Sequence, residues 1–90
     1  MIIRVRFFAH FRELFGAKDR ELILSEGAVI RDAMDALCDT PASREQVFDG
    51  QLKRDVIILK NGSPIASLGG LETPLAPEDT LAVFPLLGGG

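Results

Sequence analysis

Residues 2–8 of the chain read IIRVRFF, and this stretch decides the fold. Ile3, Val5 and Phe7 point to one side of an extended chain, and the other four residues point to the opposite side. Strict alternation of this kind predicts a half-buried strand, with the Ile-Val-Phe side facing the core. Phe8 is a large aromatic residue on the outer side, which it shares with Arg4 and Arg6.

The same patterns, followed outward from this strand, predict one small α+β domain. Ile30, Ala33, Met34, Leu37 and Cys38 form one apolar stripe of a main helix, although Val29 offers no hydroxyl cap. Shorter signals predict a helix at 9–15, strands at 20–24, 55–60 and 80–85, and a strand returning at 63–66 after an Asn-Gly turn. Residues 42–54 are expected to form a loop with one helical turn near 44–48, because the segment is polar and irregular.

This order of elements predicts a β-grasp, or ubiquitin-like, roll: a mixed sheet crossed by one main helix, with the first and last strands adjacent at its centre. The domain is expected to span residues 1–87. Residues 88–90 are expected to form a flexible C-terminal glycine tail, since glycine contributes no side chain to packing.

Composition excludes several classes of function. The chain has 90 residues and a formal net charge of −3, which disfavours binding to nucleic-acid phosphates. No apolar run approaches the roughly 18 residues of a membrane span, and arginines interrupt the N-terminal run that a signal peptide would need. We therefore expect a soluble, cytoplasmic protein with no membrane or nucleic-acid partner.

The sequence offers no catalytic site of its own. His10 is expected to be a solvated side chain and Cys38 a core residue, and nothing indicates that these two meet as base and nucleophile. Metal-ligand spacing is absent, so we expect no bound metal and no tightly held cofactor.

Two features remain unexplained by packing. One is the glycine tail. The other is the pair Phe8 and Phe84, which should both face outward if Leu81 and Val83 face the core. Exposed large apolar side chains in a charged surrounding indicate a partner site.

These features together resemble the sulfur carriers of the MoaD/ThiS type, most closely the small subunit of molybdopterin synthase. The opening VRFFAHFRELFG is similar to the family's opening pattern, and "KNG" and the closing PEDTLAVFPLLGGG are similar to its strand-turn and its end. The resemblance covers most of the chain. Two departures are Val29, where a Thr is common, and Leu86, where a second Pro is usual.

The resemblance implies a specific chemistry at the last residue. An E1-like adenylating enzyme, using ATP and Mg²⁺, would join AMP to the carboxylate of Gly90, which follows Gly89, and a sulfur donor would convert the adenylate to a thiocarboxylate. The large subunit of molybdopterin synthase would then receive the tail, and the sulfur would enter the dithiolene of molybdopterin. The residues expected to bind these partners are Phe8, Phe84, Pro85, Leu86, Leu87 and Gly88.

Other functions stay open at this point. The chain could be a carrier for thiamine or another sulfur pathway, or a ubiquitin-like modifier that joins its terminal glycine to lysine. It could also be a plain interaction module. From Leu87 to Gly90 an extended chain reaches about 10 Å, enough for the carboxylate to enter another protein's active site.

Overall fold

The computed structural model describes residues 1–86, so every prediction about Leu87, Gly88, Gly89 and Gly90 lies outside the described residues. Five strands form one mixed sheet: β1 (Ile2–Phe7), β2 (Asp19–Ile23), β3 (Val56–Lys60), β4 (Ser63–Pro64) and β5 (Thr80–Pro85). Three α-helices accompany it within the described part of the chain: α1 (His10–Phe15), α2 (Ile30–Leu37) and α3 (Pro41–Val47). Short 3-10 turns lie at Ile65–Ser67 and Gly70–Glu72.

The sheet has the strand order β2-β1-β5-β3-β4. The N-terminal strand β1 runs parallel to the C-terminal strand β5, and all other neighbouring pairs are antiparallel. The two strands lie side by side at the centre of the sheet, with Val5 opposite Leu81 and Phe7 opposite Val83. The predicted β-grasp roll is therefore confirmed.

The core lies between one face of this sheet and helix α2. Ile3, Val5 and Phe7 are at most 1% exposed, as the alternation in residues 2–8 predicts. The predicted helical stripe from Ile30 to Leu37 is buried against this face. Burying each large apolar side chain in this way stabilises the fold by roughly 1.5–3 kcal/mol before the cost in chain entropy. The opposite face of the sheet, which we call the outer face, carries Arg4, Arg6 and Phe8.

Helix α2 begins without a hydroxyl cap, as predicted, and its first backbone groups find other partners. The Asp32 carboxylate accepts a hydrogen bond of 2.8 Å from the Val29 amide. The Ile30 amide donates to the carbonyl of Thr73 at 3.0 Å. The loop that contains Thr73 thus takes over part of the capping role.

The prediction of one helical turn near residues 44–48 was wrong in extent, because α3 is a helix of seven residues that begins at Pro41. Thr40 caps it: the Thr40 hydroxyl accepts from the Ser43 amide at 3.1 Å, and the Ser43 hydroxyl accepts from the Thr40 amide at 3.2 Å. Pro41 ends the preceding helix, but it also occupies the first position of the next one, where its missing N–H costs nothing.

The predicted return strand at 63–66 is shorter than expected. The Asn61-Gly62 turn forms, with φ values of 50° and 88°, and it leads into the two-residue strand β4. The chain then enters the 3-10 turn at Ile65–Ser67, which directs Ile65 into the core at 4% exposure. None of the helices in residues 1–86 is long and apolar enough to cross a membrane.

Candidate functional site

Four of the predicted partner-binding residues lie in the described part of the chain, and they meet at the end of the two central strands. Phe8 directly follows β1, and Phe84 and Pro85 end β5, with Leu86 next. The Phe8 amide donates to the Val83 carbonyl at 3.1 Å, which continues the parallel pairing one residue past β1. This pairing brings Phe8 beside Phe84 on the outer face.

The two aromatic rings contact each other edge to face. Their centroids are 6.0 Å apart and their planes are inclined by 86°. This geometry is favourable for an aromatic pair. Phe8 is 38% exposed, so the pair is accessible from solvent.

Phe8 and Phe84 form two walls of a shallow groove on the outer face. Its lining is entirely apolar, its volume is about 390 Å³, and its residues are Phe8, Ala9, Leu59, Ala82, Phe84 and Pro85. We call this surface the apolar groove. Leu86 is 55% exposed but does not line it.

Sequence reasoning missed three walls of the groove, Ala9, Leu59 and Ala82. Leu59 stands opposite Ala82 in the antiparallel pairing of β3 with β5. Alternation in residues 55–60 already separates Leu59 from the buried Ile58, so the signal for an outward Leu59 was present. What the sequence could not give was the position of β3 next to β5.

A tight turn at Ala9 holds Phe8 on the outer face. Ala9 has φ 54° and ψ −137°, a conformation that favours glycine, and α1 begins at the next residue. The Arg12 side chain stabilises this turn, because its Nε donates to the Phe7 carbonyl at 3.0 Å. The Arg12 guanidinium also lies 5.6 Å from the centre of the Phe8 ring, within cation–π distance.

The chain leaves the sheet beside this groove. The Leu86 amide donates to the Asp55 carbonyl at 2.7 Å, one residue beyond the end of β5. Phe84 therefore belongs to a paired central strand only a few residues before the C-terminus. The sequence-predicted residues Leu87, Gly88, Gly89 and Gly90 follow outside the described residues.

The other reactive side chains are not arranged as a catalytic site. Cys38 is 4% exposed, and desolvation raises the pKa of its thiol to about 11, against the smaller opposing effect of Arg44. A thiol of that pKa forms little thiolate near neutral pH and is a poor nucleophile. His10 is exposed and its ring packs at 4.4 Å from that of Phe11. Within residues 1–86 no group of three or more metal-ligating side chains could hold a metal ion.

The amino-acid sequence is similar to those of known proteins. The model of the ThiS family matches residues 5–90. The chain is 37% identical to Small archaeal modifier protein 3 of Haloferax volcanii over 93 residues, which cover all of both chains.

The fold is also similar to those of solved structures. Small archaeal modifier protein 1 of Methanosarcina acetivorans superposes with a TM-score of 0.86 at 31% identity, over 99% of this chain and 96% of that one. A putative molybdopterin converting factor, subunit 1, from Pyrococcus furiosus has a TM-score of 0.75 at 28% identity, over 94% and 97% of the two chains.

Proposed function

Because the chain belongs to the ThiS family, we propose that it is a ubiquitin-like carrier protein whose Gly90 carboxylate is activated by an E1-like enzyme and delivered to a second protein. The observation that carries this proposal is the family match, which runs through the last residue of the sequence. The position of the apolar groove supports it, since a protein docked there would lie beside the end of β5.

In the proposed reaction, a carboxylate oxygen of Gly90 attacks the α-phosphorus of ATP and pyrophosphate leaves, which gives an acyl-adenylate. Such a reaction needs positioned Mg²⁺ and phosphate-binding groups. The activating enzyme supplies these groups and binds the nucleotide. This chain supplies the carboxylate and the docking surface, with Phe8 and Phe84 as aromatic anchors of the kind that dominate binding energy at interfaces.

The first proposed use of the adenylate is sulfur transfer. A sulfur donor displaces AMP and leaves a thiocarboxylate on Gly90, and the large subunit of molybdopterin synthase then takes up the tail and passes the sulfur to the dithiolene of molybdopterin. The opening and closing patterns of the sequence support this use. So does the likeness to the putative molybdopterin converting factor from Pyrococcus furiosus.

A second candidate is protein modification. Here a lysine amine of a target protein displaces AMP, and an isopeptide bond forms between Gly90 and the lysine. The observation that favours it is the likeness to two Haloferax volcanii proteins named as small archaeal modifiers, at 37% and 34% identity. Both uses require the same activation step at the same Gly90 carboxylate.

The activation step is tested first. The purified chain is incubated with an E1-like enzyme of its own organism, ATP, Mg²⁺ and labelled pyrophosphate. The incorporation of label into ATP is then measured as pyrophosphate exchange. We expect exchange with the full chain and none with a variant that lacks Gly90. Equal exchange with both chains, or none with either, would overturn the proposal.

The two uses are then separated in cells. A strain whose carrier lacks Gly90 is assayed for molybdopterin. Its proteins are digested with chymotrypsin, which can cleave after Leu87, and searched for lysines that carry a Gly-Gly-Gly remnant. Loss of molybdopterin supports sulfur transfer, and loss of the remnant supports modification. The intact mass of the carrier, heavier where sulfur has replaced oxygen, identifies the thiocarboxylate directly.

A further inference from the structure

We propose that a basic surface beside the apolar groove, formed by Arg6, Arg12 and Lys18, binds carboxylate side chains of the protein that docks on the groove. We call it the basic corner. The inference rests on the proposed function, which requires that a partner docks on the groove. It adds which side chains the surface of that partner carries. The partner carries an apolar anchor for the groove with Asp or Glu side chains next to it.

The three cations come together from different elements. Arg6 lies on the outer side of β1, two residues before Phe8, and Arg12 lies on α1. Lys18 directly precedes β2, where its carbonyl accepts from the Phe7 amide at 2.8 Å. These side chains line a cleft of about 220 Å³ together with Phe7, Phe8 and Asp19.

The cleft and the apolar groove are neighbours on the surface. Phe8 lines both of them. One partner surface can therefore fill the groove with an apolar side chain and reach the basic corner with the next residues. Interfaces commonly combine a buried apolar centre with a charged rim in this way.

The charges of the basic corner are not neutralised within the described part of the chain. The neighbouring Arg4 is bound to Glu21 at 3.4 Å, but Arg6, Arg12 and Lys18 form no ion pair with any of residues 1–86. Asp19 lines the same cleft, so three cations face one carboxylate. This local excess of two positive charges stands on a molecule whose formal net charge is −3.

A carboxylate fits this site better than another apolar contact. Arg12 is held in place by the Phe7 carbonyl and the Phe8 ring, so its remaining guanidinium N–H groups are oriented before a partner binds. An oriented guanidinium forms short, charge-assisted hydrogen bonds to carboxylate oxygens. Positive charge at the rim also increases the rate at which an acidic partner docks.

The test measures the affinity of the E1-like enzyme for the carrier by calorimetry, without ATP. The variant Arg6→Glu/Lys18→Glu reverses two charges of the basic corner and leaves Arg12 in its structural role. The control is Arg31→Glu/Arg44→Glu, which makes the same change in net charge on helices α2 and α3 and also breaks the ion pairs of these residues with Glu72 and Asp35. Folding of each variant is checked by circular dichroism and urea unfolding.

We expect the basic-corner variant to weaken binding about tenfold or more at an ionic strength of about 0.1 M, where exposed charges interact over about 10 Å. The loss should shrink at about 1 M, where the Debye length is about 3 Å. The helix control should change affinity by about twofold at most. The charge-preserving variant Arg6→Lys/Lys18→Arg should bind like the wild type.

Unchanged affinity in the basic-corner variant, or an equal loss in the helix control, would overturn the inference and leave the proposed function standing. If the wild-type chain itself does not bind the enzyme, the docking partner is wrong and both proposals fall. Should charge reversal unfold the domain, Arg6→Gln/Lys18→Gln removes the two charges without adding new ones. The same loss of affinity is then required.

Discussion

Phe7 and Phe8 are neighbours in the sequence, and the structure places their side chains in opposite environments. Phe7 is 1% exposed, and its ring stacks on that of Phe15 with centroids 4.6 Å apart. Phe8 is 38% exposed and contacts Phe84 on the outer face. Truncating each residue to alanine therefore separates stability from docking.

The two truncations should lower the free energy of unfolding by different amounts, because the Phe7 ring is buried and the Phe8 ring is partly exposed. Phe7→Ala removes a fully buried ring and leaves a cavity, which should lower the free energy of unfolding by about 3–5 kcal/mol. A domain of 90 residues is stable by roughly 5–13 kcal/mol, so this change removes a large part of the total. Phe8→Ala removes a partly exposed ring and leaves no closed cavity, so its cost should be about 1–2 kcal/mol.

Binding should show the reverse order. Phe8→Ala should weaken the affinity for the E1-like enzyme by about 2 kcal/mol or more, which is about thirtyfold, as expected for a central aromatic anchor. Ile23→Ala is the control, because Ile23 is 84% exposed but lies on the edge strand β2, away from the groove. Ile23→Ala should change neither the free energy of unfolding nor the affinity for the enzyme.

The assays are urea unfolding followed by circular dichroism and calorimetric titration of the enzyme. The reasoning fails if Phe8→Ala destabilises the domain as much as Phe7→Ala, because Phe8 would then be a core residue. It also fails if Phe8→Ala and Ile23→Ala bind the enzyme equally well.

Three further predictions concern Ala9, Asp79 and Cys38. Ala9→Gly should raise the free energy of unfolding by about 0.5–1 kcal/mol, since φ is 54° there, and Ala9→Val should lower it; equal stability in urea would contradict this. Burial works to raise the pKa of Asp79, but hydrogen bonds from Ala76 and Asn61 and the charge of Lys60 outweigh it and lower the pKa below 3.8. The ionised Asp79 carboxylate thus stabilises the folded domain above pH 3.8, and this contribution is lost as the pH falls through the folded pKa. In Asp79→Asn the free energy of unfolding should therefore depend less on pH below about pH 4. Cys38, with its pKa raised to about 11, should resist thiol reagents at pH 8 until urea unfolds the chain; rapid labelling of the folded protein would show that it is accessible.

The central part of the fold could be predicted from sequence because its signals are local. Alternation in residues 2–8 gives the buried face of β1 without any knowledge of its neighbours. The contact between Phe8 and Phe84 followed from the same alternation, once β1 and β5 were placed side by side. The two strands are adjacent as predicted, and the structure adds their register, with Phe7 opposite Val83.

The features that sequence reasoning missed depend on a partner distant in the chain or on cap chemistry. Leu59 becomes a groove wall only because β3 pairs with β5, and Lys18 lines the same cleft as Arg6 only because β2 pairs with β1. The early start of α3 was a different error. Thr40 followed by Pro41, with Ser43 three residues after the cap, is a start signal for a helix, and the expectation of a loop at 42–54 did not include it.

The parallel pairing of β1 with β5 places the two functions proposed for this domain, docking a partner and delivering the Gly90 carboxylate, at the same end of the sheet. Both anchors of the apolar groove end the two central strands, and the Leu86 amide is still bound to Asp55 at 2.7 Å. Four residues follow Leu86 in the sequence, Gly90 included, and an extended chain of four residues spans at most about 14 Å. A protein docked on the groove is therefore presented with the terminal carboxylate only if its own active site lies within that radius. Under the proposed function, the groove and the basic corner would select the partner, and the four residues after Leu86 would limit how deep in that partner the reaction takes place.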